Sequence, residues 1–94
     1  MGDTHIVDAV VRAIDGERLW RRHQEIARFG ASGRGGVNRQ ALTREDADAH
    51  RLVLEWAYAR GFSASIDSIG NIFIRRAGTD ASAPPIIAGS HLDT

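Results

Sequence analysis

Cysteine is absent from this sequence, so no disulfide framework, zinc knuckle or thiol nucleophile is open to it. Lysine is absent too: all 12 basic residues are arginines, scattered from Arg12 to Arg76 and balanced by 12 acidic residues. A formal charge of zero leaves no net basic field to gather phosphates, which argues against nucleic acid as a partner. No stretch approaches the roughly 18 apolar residues of a membrane span. The opening MGDTHIVDAVVRAIDGERLW has neither a basic n-region nor a continuous apolar h-region. The expected setting is cytoplasmic, with no membrane partner. Gly2 invites myristoylation, but Ile6 stands where that motif requires Ser or Thr.

What is present suffices for one small α/β unit with a thin core, since a chain of this size hides only about 60–65% of its unfolded surface. Residues 4–14 place Val7, Val10, Val11 and Ile14 at helical spacing behind a Thr4 cap. Asp15 is suited to cap a helix from about Glu17 to Phe29, ended by Gly30. Leu19, Trp20, His23, Ile26 and Ala27 would share its buried face. GASGRGGVNRQAL follows as a loop, too rich in glycine for regular structure. Thr43 to Asp46 resembles a capping box and opens a helix from about Arg44 to Arg60, with Ala49, Leu52, Val53, Trp56 and Ala59 or the Arg60 stem inward. Gly61 stops it, and Phe62 folds back.

From Phe62 the period changes to two, and 62–76 reads as a hairpin turning at Ser68 to Asn71. AGTDASAPP is a surface loop whose prolines do not suit a central strand. Ile86-Ile87-Ala88-Gly89 is apolar without alternation, as expected of a strand buried on both faces. The fold class is thus α/β: helices, a hairpin, then a buried central strand of an incomplete sheet.

That strand leads to His91-Leu92-Asp93-Thr94. On extended backbone His91 and Asp93 face the same way, with Cα atoms about 6.5–7 Å apart. At that span Asp93 can take the imidazole N–H while the other ring nitrogen faces a metal. By itself His-x-Asp fits either a metal ligand with its orienting carboxylate or a histidine that ends a strand. A buried strand and a Gly-Ser step before it favour the first, because ligands of open α/β sheets gather beyond the carboxyl ends of strands.

Other chemistry-bearing residues have structural readings. His23 suits a hydrogen-bonded core or interface position, His50 an ion pair with Asp46 or Asp48, and His5 a frayed end. Gly33-Arg34-Gly35-Gly36 lacks both a Walker lysine and dinucleotide spacing and reads as a flexible loop. Asp67 and Asn71 bracket a turn. Trp20, Trp56 and Phe62 are spaced to pack the helices onto the hairpin. Composition and spacing suggest no role for Arg39.

GSHLDT, preceded by DSIGNIFIRR (67–76) and GGVNRQALTREDADAHRLVLEWAYARGF (35–62), resembles the N-terminal part of the N-carbamoyl-L-amino-acid hydrolases and allantoate amidohydrolases. These form the hydantoinase/carbamoylase branch of the M20 metallopeptidase-like superfamily. The resemblance covers about residues 15–94 and implies that 1–94 is an N-terminal piece of a catalytic domain. The remaining ligands, the general base and a lid or dimerisation domain would lie outside it. It further implies a homodimeric enzyme that uses two divalent metals (zinc, manganese, cobalt or nickel) to hydrolyse a small ureido substrate. His91 matches one metal ligand, Asp93 matches the catalytic-site aspartate that orients it, Gly35, Gly36, Val37 and Arg39 match a loop near the active-site side with no role derived for Arg39, and no substrate-binding residue is assigned. Two alternatives are an aminoacylase or dipeptidase of the same superfamily, and a non-catalytic α/β interaction module or truncated remnant.

Overall fold

The computed structural model describes residues 2–94. Helix α1 spans Gly2–Ala13, α2 Gly16–Ile26 and α3 Arg44–Ala59; strands β1, Ser63–Ile66, and β2, Ile72–Arg75, pair antiparallel. α3 packs against both strands, and this contact holds what core there is: Ala49 is fully buried and Ala57 nearly so, while Leu52, Val53, Trp56 and Phe62 are half-buried. Ala57 takes the inward place expected of Ala59, which is exposed.

Local signals set the element ends. The Asp15 side chain accepts the Arg18 N–H at 3.0 Å and caps α2. The Thr43 hydroxyl accepts the Asp46 N–H at 3.3 Å and caps α3. The capping box is altered: the Asp46 carboxylate accepts from the Leu42 N–H at 3.1 Å rather than from Thr43, and so holds Leu42 at φ +65°. An aspartate is one methylene shorter than the usual glutamate, and here the chain before the cap folds over to meet it. At the other end, the Gly61 N–H donates to Tyr58 O and the Phe62 N–H to Ala57 O, both at 3.0 Å, with Gly61 left-handed at φ +78°. This is a Schellman ending.

The hairpin pairs Ser63 with Arg75, Ala64 with Ile74, Ser65 with Phe73 and Ile66 with Ile72. Its turn is knotted around Asp67, whose Oδ1 accepts the Ile69 and Asn71 N–H groups while Oδ2 accepts from the Asn71 side-chain amide. These donors, led by the Asn71 side chain, hold the Asp67 carboxyl below its ordinary range. A depressed folded-state value means that the stabilisation is fully present above the ordinary carboxylate range. It is lost as pH falls through the lower folded value. Protection of the Ile69 and Asn71 amides, taken relative to intrinsic exchange at the same pH, should therefore fall on acidification before that of α3, and Asp67→Ala should remove that early step.

Four expectations are corrected. Helix α1 begins at Gly2, so Thr4 lies inside its first turn and does not cap it. Its Val7, Val10, Val11 and the following Ile14 are exposed. Helix α2 ends at Ile26, and of its expected inward face only Ile26 is half-buried: Arg18, Arg22, Glu25 and, beyond the helix, Phe29 are half-buried with it, whereas Trp20 is 65% exposed and Leu19, His23 and Ala27 are exposed too. Helix α2 meets α3 through the Arg22 guanidinium, 5.2 Å from the Trp56 ring centroid, a cation–π contact that orients α2 through an arginine rather than through its apolar stripe.

Residues 30–38 are not a loose loop. Asn38 N–H donates to Gly30 O at 2.8 Å, Ala31 bridges Val37, and Ser32 N–H donates to Gly36 O at 2.8 Å, making a miniature hairpin. Finally, residues 86–89 are neither strand nor buried: Ile86 is fully exposed and Ile87 nearly so. A central strand exists only by pairing on both sides, and no strand among the described residues lies beside this one.

Candidate functional site

The His91 ring stands beside Asp93 as the two-residue spacing predicts. Nδ1 lies 3.1 Å from Asp93 Oδ1 and 3.0 Å from the Asp93 carbonyl oxygen. Both neighbours are acceptors, so Nδ1 is the ring atom that carries hydrogen, and in the neutral ring Nε2 keeps its lone pair free. The His91 side chain is 78% exposed and the Asp93 side chain 44%, so the pair faces outward while Leu92 between them is half-buried. No strand ladder among the described residues holds this segment in place.

Arg39 supplies the fixing, and sequence reasoning missed it. It is only 5% exposed. Its Nε donates to Leu92 O at 2.9 Å, and its Nη1 donates to Ile26 O at 2.9 Å, at the end of α2, and to Phe29 O at 2.7 Å, in the turn that follows. Its backbone N–H donates to Thr94 Oγ1, and its carbonyl accepts the Thr94 N–H, each at 2.8 Å. Thr94 Oγ1 in turn donates to Val37 O at 3.1 Å. The miniature hairpin 30–38 thus delivers Arg39 to the segment carrying His91 and Asp93. The resemblance places Arg39 on a loop near the active-site side but gives it no role, and the residues themselves show only an arginine just after a glycine-dense stretch. Nothing local marks it, because its partners lie 10, 13 and 53 residues away.

The other histidines stay apart from this site. His50 Nε2 is 3.5 Å from Asp46 Oδ1, the expected pairing along α3, although too poorly aligned to satisfy that buried oxygen. Among the described residues no three His, Cys, Asp or Glu side chains gather at metal-binding range. The fit to a metal is that of a single ligand, an imidazole with one nitrogen committed and the other open.

No protein-family model matches the chain. Its relatives are nonetheless all named hydrolases, several of them amidohydrolases. It is 42% identical over 83 residues to an N-carbamoyl-L-amino-acid amidohydrolase of Rhizobium meliloti, covering 88% of this chain and 20% of that protein. It is 39% identical over 69 residues to an allantoate amidohydrolase of Bacillus subtilis, covering 73% and 17%. A crystal structure of a hydantoinase/carbamoylase family amidase from Burkholderia ambifaria superposes with a TM-score of 0.82 at 51% identity, over 86% of this chain and 20% of that one. The chain is therefore related to the hydantoinase/carbamoylase amidases and corresponds to their N-terminal part. It spans about one fifth of the length of the curated relatives it matches. No helix among the described residues is long and apolar enough to cross a membrane.

Proposed function

We propose that these residues form the N-terminal part of the catalytic domain of a metal-dependent amidohydrolase acting on a C–N bond of an N-carbamoyl-L-amino acid or of allantoate. The observation that carries this reading is the His91 ring, held through Nδ1 by Asp93 with Nε2 open, in a chain 42% identical to an N-carbamoyl-L-amino-acid amidohydrolase. His91 would donate Nε2 to one of two divalent ions, and Asp93 would fix its tautomer and raise its basicity. When bound, such ions polarise a carbonyl and activate water. The chain's own contribution is orientation: Asp93 keeps the proton on Nδ1, and Arg39 holds the peptide between the two residues.

One histidine does not fill two metal shells, so these 94 residues by themselves are expected to be inactive. The test is ammonia release from N-carbamoyl-L-amino acids and from allantoate by the protein that carries this chain, before and after treatment with a chelator. Release that the chelator abolishes, and that His91→Ala also abolishes, supports the reading. Undiminished hydrolysis in His91→Ala, or metal-dependent turnover by the 94 residues alone, overturns it.

A further inference from the structure

The backbone around His91 has no strand partner, yet its position is fixed, and most of the fixed points run through Arg39. The arrangement is demanding. Arg39 is buried, and among the described residues no carboxylate lies within ion-pairing distance of it. Its charge is met by three carbonyl oxygens, one at the negative end of α2 and one in the turn just after it. Closing a loop does not require such a residue, because an apolar side chain would fill the space without a buried charge. What a planar, forked guanidinium adds is direction: Nε and Nη1 donate along different lines from one rigid plane, one to the Leu92 carbonyl and the other to α2. Leu92 O belongs to the peptide joining Leu92 to Asp93, and Thr94 is clamped just beyond.

We infer that Arg39 is the positioning residue for the His91–Asp93 pair: by fixing the Leu92 carbonyl and Thr94, it holds the Asp93 carboxylate at Nδ1 and leaves Nε2 free. The purpose of this device rests on His91 being a metal ligand, but the geometry is measurable without any metal.

The experiment is long-range proton–nitrogen NMR of the chain's four imidazoles, at a pH where imidazoles are neutral, in Arg39→Lys, Thr94→Val and the unaltered protein. Lysine keeps the charge but cannot donate along two fixed directions. Thr94→Val keeps the volume of an exposed residue and removes only the hydroxyl contacts to Arg39 N–H and Val37 O. In both variants the Nδ1–H population of His91 should fall about twofold or more, towards that of Asp93→Ala, while His50 beside Asp46 is unchanged. A residue that merely stabilised the fold would lower the melting temperature and leave the His91 tautomer alone. An unchanged His91 tautomer in a folded Arg39→Lys overturns the inference; if that variant does not fold, an unchanged tautomer in Thr94→Val does so. If the tautomer responds as expected but His91→Ala retains activity in the protein that carries this chain, the positioning stands and the metal-ligand assignment falls.

Discussion

Gly30→Ala is expected to cost about 3 kcal/mol or more, a large share of the stability of a chain with so thin a core. Two effects combine. Gly30 sits at φ +82°, where an L side chain strains the backbone by about 1–2 kcal/mol. An added Cβ would also lie 2.3 Å from the Asn38 carbonyl oxygen and 3.3 Å from the Arg39 Cβ. That carbonyl cannot retreat easily, because Asn38 is tied back to Gly30 O through its own N–H. The substitution therefore pushes on the residue next to the arginine that holds the site. Gly33→Ala is the control: its Cβ would meet nothing within 4 Å, and stability should change by no more than about 0.5 kcal/mol. Urea titration followed by circular dichroism measures both, and equal midpoints for the two variants would contradict the account.

Arg39→Met should cost about 2–3 kcal/mol, out of the roughly 5–14 kcal/mol of stability expected for a domain of this length. Methionine approximates the length of the stem but leaves the carbonyls of Leu92 and Phe29 without their donor and takes one of two donors from Ile26 O. The loss should be local in character: amide exchange in 92–94 and in the last turn of α2 should accelerate most, and the α3 core around Ala49 least. A uniform loss of protection across the chain would argue that Arg39 supports the core as a whole and not one docked segment.

The parts of this fold that could be read from sequence are those whose causes lie within a few residues. Asp15 and Thr43 cap their helices, Gly61 ends α3, the hairpin turns between Asp67 and Asn71, and His91 meets Asp93 across one residue. Periodicity found α2 but not its orientation, because the choice between its apolar stripe and Arg22 is made by Trp56, 34 residues away. The apolar run at Ile86 carries the pattern of a buried strand but forms none, because a strand needs partners and the two among the described residues are paired only with each other. Arg39 was illegible for a related reason: carbonyl oxygens have no signature in a sequence, and a guanidinium that binds three of them looks like any other arginine.

The clamp between Arg39 and Thr94 also sets an order of assembly. It joins residues 55 apart, and everything between them, α3 and the hairpin, is built from neighbouring contacts. Closing a loop of that length costs about 3–4 kcal/mol of chain entropy before any bond rewards it. Helix and hairpin form in microseconds by comparison. The histidine segment is thus the last part to arrive and the first to leave, and the rate at which His91 becomes correctly presented is the rate of a docking event on an already folded platform.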